Sequence, residues 1–111
     1  MRSDFERLLD ISEAIKKIQQ YYTQEIIETD ELAQYGLLHL LQIIGEATNN
    51  LSKELKEKYP EVSWREIIGL RNFVVHQYFY VNWEIISNII QKELPILKLQ
   101  IQLIIDEMEK N

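Results

Sequence analysis

Arg71, Asn72 and His76 stand close together in the stretch Arg71-Asn72-Phe73-Val74-Val75-His76-Gln77-Tyr78. A permanent cation, an amide and the one side chain that ordinarily titrates near neutrality are the parts needed to hold an anion and move a proton beside it. On a helix, at about 100° per residue, Asn72 and His76 lie roughly 100° and 140° round from Arg71. They share a neighbouring face, one turn apart. Ile67, Val74, Tyr78, Trp64, Val75 and Ile68 fill one apolar arc with Arg71 in its middle. A guanidinium cannot shed its proton, so in that arc Arg71 must meet an anion, a carbonyl or a wet cleft.

The elements that position these residues follow from local signals. Ser63 with Glu66 has the S-x-x-E spacing of a capping box, which starts the organising helix at Trp64 and runs it through Tyr78. Gly69, inside it, costs about 1 kcal/mol against alanine and is expected to admit another backbone or a ligand. Ser3 with Glu6 is a second box, opening a helix from about Asp4 to Tyr22 whose Phe5, Leu8, Leu9, Ile11, Ile15 and Ile18 recur at helical spacing. Residues 23–29 read as a connector. Thr29 or Asp30 caps the next helix, whose apolar face is Leu37, Leu40, Leu41, Ile44, Ala47 and Leu51. A second stripe on it, Leu32, Gly36, His39, Ile43, Glu46 and Asn50, suggests a subunit contact or a cleft wall. A short helix over 51–58 stops at Tyr59-Pro60, Asn82 caps a helix at Trp83, and Pro95 marks a fresh start or a kink before a helix to about Glu109.

With 111 residues, 46% hydrophobic, three Gly and two Pro, the chain reads as one all-α domain, 1–111, an up-and-down bundle of about four to five helices. It has no cysteine, which excludes disulfides and thiolate metal sites. The charged N-terminus and the lack of a long apolar run predict a soluble cytoplasmic protein with no membrane association. A net charge of −6 argues against broad electrostatic affinity for nucleic acid. An RNA-binding site would need local positive charge, from Arg71, Arg65 and the lysines between Lys53 and Lys58, or from a dimer that doubles those charges at one seam.

The Arg-x4-His element, with Asn after the Arg and x-Tyr after the His, resembles the active motif of HEPN domains, and more closely that of HepT-like toxins encoded beside MntA-type nucleotidyltransferases. Ile43-Ile44-Gly45-Glu46-Ala47, Trp64 to Asn72, Tyr78 to Ile86 and Glu93-Leu94-Pro95 carry the same resemblance, which covers nearly the whole chain. It implies a HEPN-like helical bundle, a homodimer or a larger hetero-oligomer with the antitoxin, acting as a metal-independent endoribonuclease on tRNA or mRNA without a cofactor. It also implies a type VII toxin–antitoxin pair in which the nucleotidyltransferase adds AMP to Tyr78.

RNA cleavage by its own 2′-hydroxyl needs a base, an acid for the leaving 5′-oxygen and positive charge on the phosphorane. His76 can be base or acid, Arg71 can hold two phosphate oxygens, and Asn72 can orient a phosphate or the imidazole. One histidine does not easily fill both roles in one step, so a composite site at a two-fold seam, with both His76 and both Arg71 in one cleft, is expected. Tyr78 lies roughly 20° from Arg71 on the wheel, where an added nucleotide would obstruct RNA by charge and bulk.

Blander roles stand beside these. Arg71 could be a structural arginine paired with Glu46, and Glu46 could instead orient it for phosphate. His39, within Leu37-Leu38-His39-Leu40-Leu41, reads as an interface or core histidine, and with His76 it lacks a third ligand for a metal. Tyr21-Tyr22 and Tyr78-Phe79-Tyr80 read as packing aromatics before base-stacking ones. The same groove could also belong to a catalytically silent HEPN adaptor that binds a nucleotide or the nucleotidyltransferase, or the whole chain to a helical dimerisation module.

Overall fold

The computed structural model describes residues 2–72 and 81–110. Helix α1, Asp4–Tyr21, begins at a complete capping box: the Ser3 hydroxyl accepts from the Glu6 N–H at 3.1 Å, and the Glu6 carboxylate accepts from the Ser3 N–H at 2.9 Å. Those bonds hold the Glu6 carboxyl below the usual glutamate range. Residues 23–29 are not a connector. Thr23 caps a short helix α2, Gln24–Thr29, by accepting from the Ile26 N–H, and Ile27 is buried. Asp30, not Thr29, caps α3, Glu31–Asn49, accepting from the Ala33 N–H at 3.0 Å.

Ser52 caps α4, Lys53–Lys58, and its N–H and hydroxyl both bond the Asp4 carboxylate, at 2.9 and 2.6 Å. The start of α1 is thereby tied to the start of α4. At the far end of α4 the Trp64 indole N–H donates to the Tyr59 carbonyl at 2.9 Å and the Lys56 carbonyl at 3.0 Å. This anchor, not the predicted Ser63–Glu66 box, sets the start of α5, Trp64–Ile68: the Ser63 hydroxyl makes no capping bond.

Asn82 caps α6, Trp83–Asn88, as expected, accepting from the Glu84 and Ile85 N–H groups. Instead of breaking there, the chain passes through a π turn, Ile89–Glu93, into α7, Leu94–Glu109, and the Leu94 N–H reaches back to the Ile89 carbonyl. Pro95 supplies the reason. It has no N–H to give the carbonyl four residues earlier and its ring crowds that carbonyl, so the wider turn relieves both.

Helix α1 packs on both α3 and α7, while α2 packs on α3 and α6. Leu8, Ile11, Ile15 and Ile18 meet Leu37, Leu41 and Ile44 of α3 and Ile101 and Ile104 of α7 in one buried cluster. Of the apolar face expected on α3, Leu37, Leu41, Ile44 and Leu51 are buried and Leu40 and Ala47 partly so, with Leu38 buried beside them. The described residues form no strands, and the protein is all-α. No helix among them is long and apolar enough to cross a membrane.

Candidate functional site

The organising helix does not continue regularly past Ile68. Gly69–Arg71 closes as a 3₁₀ turn. Side chains three apart eclipse in such a turn, which stacks Leu70 over Ile67, both buried. The Arg71 side chain is 33% exposed. Arg71 thus has both an anion, Glu46, and water available to it, as a guanidinium beside apolar residues requires.

Three successive residues of α3 hold this turn in place. Ile44 is fully buried in the core. Gly45 lies directly against the turn: a Cβ added there would stand 2.7 Å from the Arg71 backbone nitrogen, 2.9 Å from its Cβ and 3.0 Å from the Ile68 carbonyl oxygen. No side chain fits in that space without moving backbone. Glu46 meets the guanidinium, with Oε1 3.6 Å from Nη1. At that distance, with the Glu46 side chain half exposed, the pair is an ion pair without a short hydrogen bond, worth about 0–1 kcal/mol.

The close backbone approach expected of Gly69 is found at Gly45, and among the described residues nothing lies within 4 Å of a Cβ built at Gly69. A glycine inside a long helix was the readable signal. It was present at both positions, and only the tertiary contact separates them.

Asn72 follows the turn and is exposed, so Arg71 and Asn72 are brought to one surface. His76 and Tyr78 lie outside the described residues. His39 is exposed on α3, which removes the core reading, and so are Leu32, Glu46 and Asn50 of the same stripe. Among the lysines considered for a cationic cleft, Lys53 pairs with Glu57 at 3.8 Å and Lys58 lies over the Tyr59 ring. The Lys56 ammonium donates to the Asn49 carbonyl at 3.2 Å, one turn beyond Glu46 on α3. Arg65 is exposed. Arg71 and Lys56 therefore both reach the last two turns of α3, while Lys53 and Lys58 are engaged on α4 itself. Among the described residues no group of three or more His, Asp or Glu is placed to hold a metal ion.

What this surface offers is a guanidinium whose backbone lies against Gly45, whose partner is a weakly held carboxylate, and whose side chain is partly open to solvent. A phosphate could take two of its donors at once, a stronger pairing than the one it would displace.

Comparison with known proteins gives this geometry a context. Residues 11–104 match the family model described as Ribonuclease HepT-like. A "Probable ribonuclease HepT" of Thermococcus cleftensis is 36% identical over 101 residues, covering 87% of this chain and 91% of its own. A "Putative RNase" of Caldanaerobacter subterraneus subsp. tengcongensis is 42% identical over 78 residues, 70% of each chain. A "Gamma-glutamylcyclotransferase and putative RNase" of Methanocaldococcus jannaschii is 33% identical across 100% of this chain, which spans 52% of that protein's length. No solved structure matches.

Proposed function

This chain belongs to the HepT-like ribonuclease family, and from that premise we propose that it is a metal-independent endoribonuclease in which Arg71 holds the scissile phosphate, Asn72 orients it and His76 moves the proton. The observation that supports the reading is the placement of Arg71. Its backbone is clamped at Gly45 and its guanidinium is partly open to solvent beside Glu46, an arrangement suited to a phosphate ligand.

The chemistry asks for a base and an acid in one step, so two copies of the chain share one cleft, each contributing His76 and Arg71. The doubled arginines also offset the net charge of −6 where RNA enters. In this reading the chain is the toxin of a toxin–antitoxin pair. An MntA-type nucleotidyltransferase silences it by adding AMP to the Tyr78 hydroxyl, which places an anion beside the phosphate site.

The Glu46–Arg71 pair favours a second reading, a silent adaptor whose arginine is structural. Incubating total RNA with the purified chain in EDTA separates the two. Cleavage supports the nuclease, and intact RNA at every chain concentration rules it out and favours the adaptor. Tyr78→Phe is expected to cleave RNA and to accept no AMP from a cognate nucleotidyltransferase; loss of cleavage in that variant would give the hydroxyl a catalytic part instead.

A further inference from the structure

A cleft of about 420 Å³ lies between α5 and the π turn with the start of α7. Ile67, Leu70 and Leu97 contribute its apolar wall, and Glu61, Glu66 and Glu93 stand at its edge. Among the described residues no Lys, Arg or His lines it. The apolar surface does not stop there. Ile96, which also lines the cleft, is 60% exposed, and Leu99 and Leu103 continue from it along α7 at 74% and 53% exposure. Spaced at i, i+3 and i+7, the three form one strip about 10 Å long.

An apolar groove leading into a carboxylate-edged pocket selects its occupant by charge. RNA is repelled by three glutamates, and a second copy seated here would bring its own three against them. An apolar helix flanked by Lys and Arg satisfies both features, since its side chains fill the cleft while its cations reach the glutamates. We propose that the cleft and the Ile96–Leu103 strip dock a basic amphipathic helix of a partner protein. Leu70 lines the cleft and Arg71 follows it directly, so this partner touches the turn that carries the candidate phosphate-binding arginine. The proposal goes beyond the ribonuclease reading and does not depend on it.

The test uses a fluorescent peptide of about four helical turns with Leu along one face and Lys on the others. A second peptide carries Glu in place of every Lys. Fluorescence anisotropy is read with the full chain at about 0.1 M ionic strength. The Lys peptide is expected to bind, the Glu peptide not, and binding to weaken at least about tenfold in the Glu61→Lys/Glu93→Lys double variant and in Ile96→Asp. All three altered side chains are exposed, so the variants are expected to fold, and circular dichroism checks this. Equal binding of both peptides, absence of binding, or Lys-peptide binding unchanged in both variants overturns the proposal. If Ile96→Asp dissociates an oligomer in sedimentation, the surface belongs to a second copy and the proposal is likewise overturned.

Discussion

Gly45 and Gly69 give opposite predictions for the same substitution. At Gly45 an added methyl would meet the Arg71 backbone, which cannot step aside as a flexible side chain can. Gly45→Ala should destabilise the fold by about 1–3 kcal/mol and lower any activity that depends on Arg71. At Gly69 the methyl meets none of the described residues and the backbone is helical, so Gly69→Ala should be neutral or stabilising by up to about 1 kcal/mol. Urea denaturation of both variants checks the pair. Tyr59 makes a pH-dependent prediction. Its hydroxyl donates to Glu107 at 2.5 Å, and this bond, then burial, then the charges of Glu107 and Glu61 push its pKa from 10.0 to about 12. A pKa raised by folding means that the Tyr59 contribution is complete below the unfolded value and is lost as pH rises from about 10 to 12. Thermal melts of the wild type should converge on those of Tyr59→Phe across that window, and a constant difference between the two would remove Tyr59 from the alkaline transition.

Among the elements, the link between α1 and α4 rests on one carboxylate. Asp4→Ala removes both bonds to Ser52 and should cost about 1–3 kcal/mol, partly shared with Ser52→Ala because both changes delete the same contact. Calorimetry of the double-mutant cycle measures that sharing. Elements whose start is set by a side chain bonding a nearby backbone N–H were readable: Ser3 for α1, Asp30 for α3 and Asn82 for α6 all act within three residues. Elements decided by distant partners were not. Thr23 carries a normal cap, but the six residues after it hold only the Ile26-Ile27 pair, too little periodicity to announce α2. Ser63 and Glu66 have the spacing of a box, yet the indole of Trp64, anchored on α4, determines where α5 begins. A wheel drawn at 100° per residue likewise cannot foresee the 3₁₀ turn that carries Arg71.

For the whole molecule, the all-α class followed from helical apolar spacing with few Gly and Pro, and the packed cluster of α1, α3 and α7 bears it out. Of the candidate site, Arg71, Asn72 and Glu46 were legible as residues, but the device that fixes Arg71, a glycine of α3 against its backbone, was not, because it exists only once the two segments meet. The ribonuclease reading now stands on one arginine and its neighbours. Single-turnover cleavage of RNA in EDTA by the wild type, Arg71→Ala and His76→Ala, each checked for unchanged melting, tests it most directly. The account predicts cleavage by the wild type and a loss of at least about a hundredfold in either variant. Cleavage undiminished in well-folded Arg71→Ala, or none by the wild type, would contradict it.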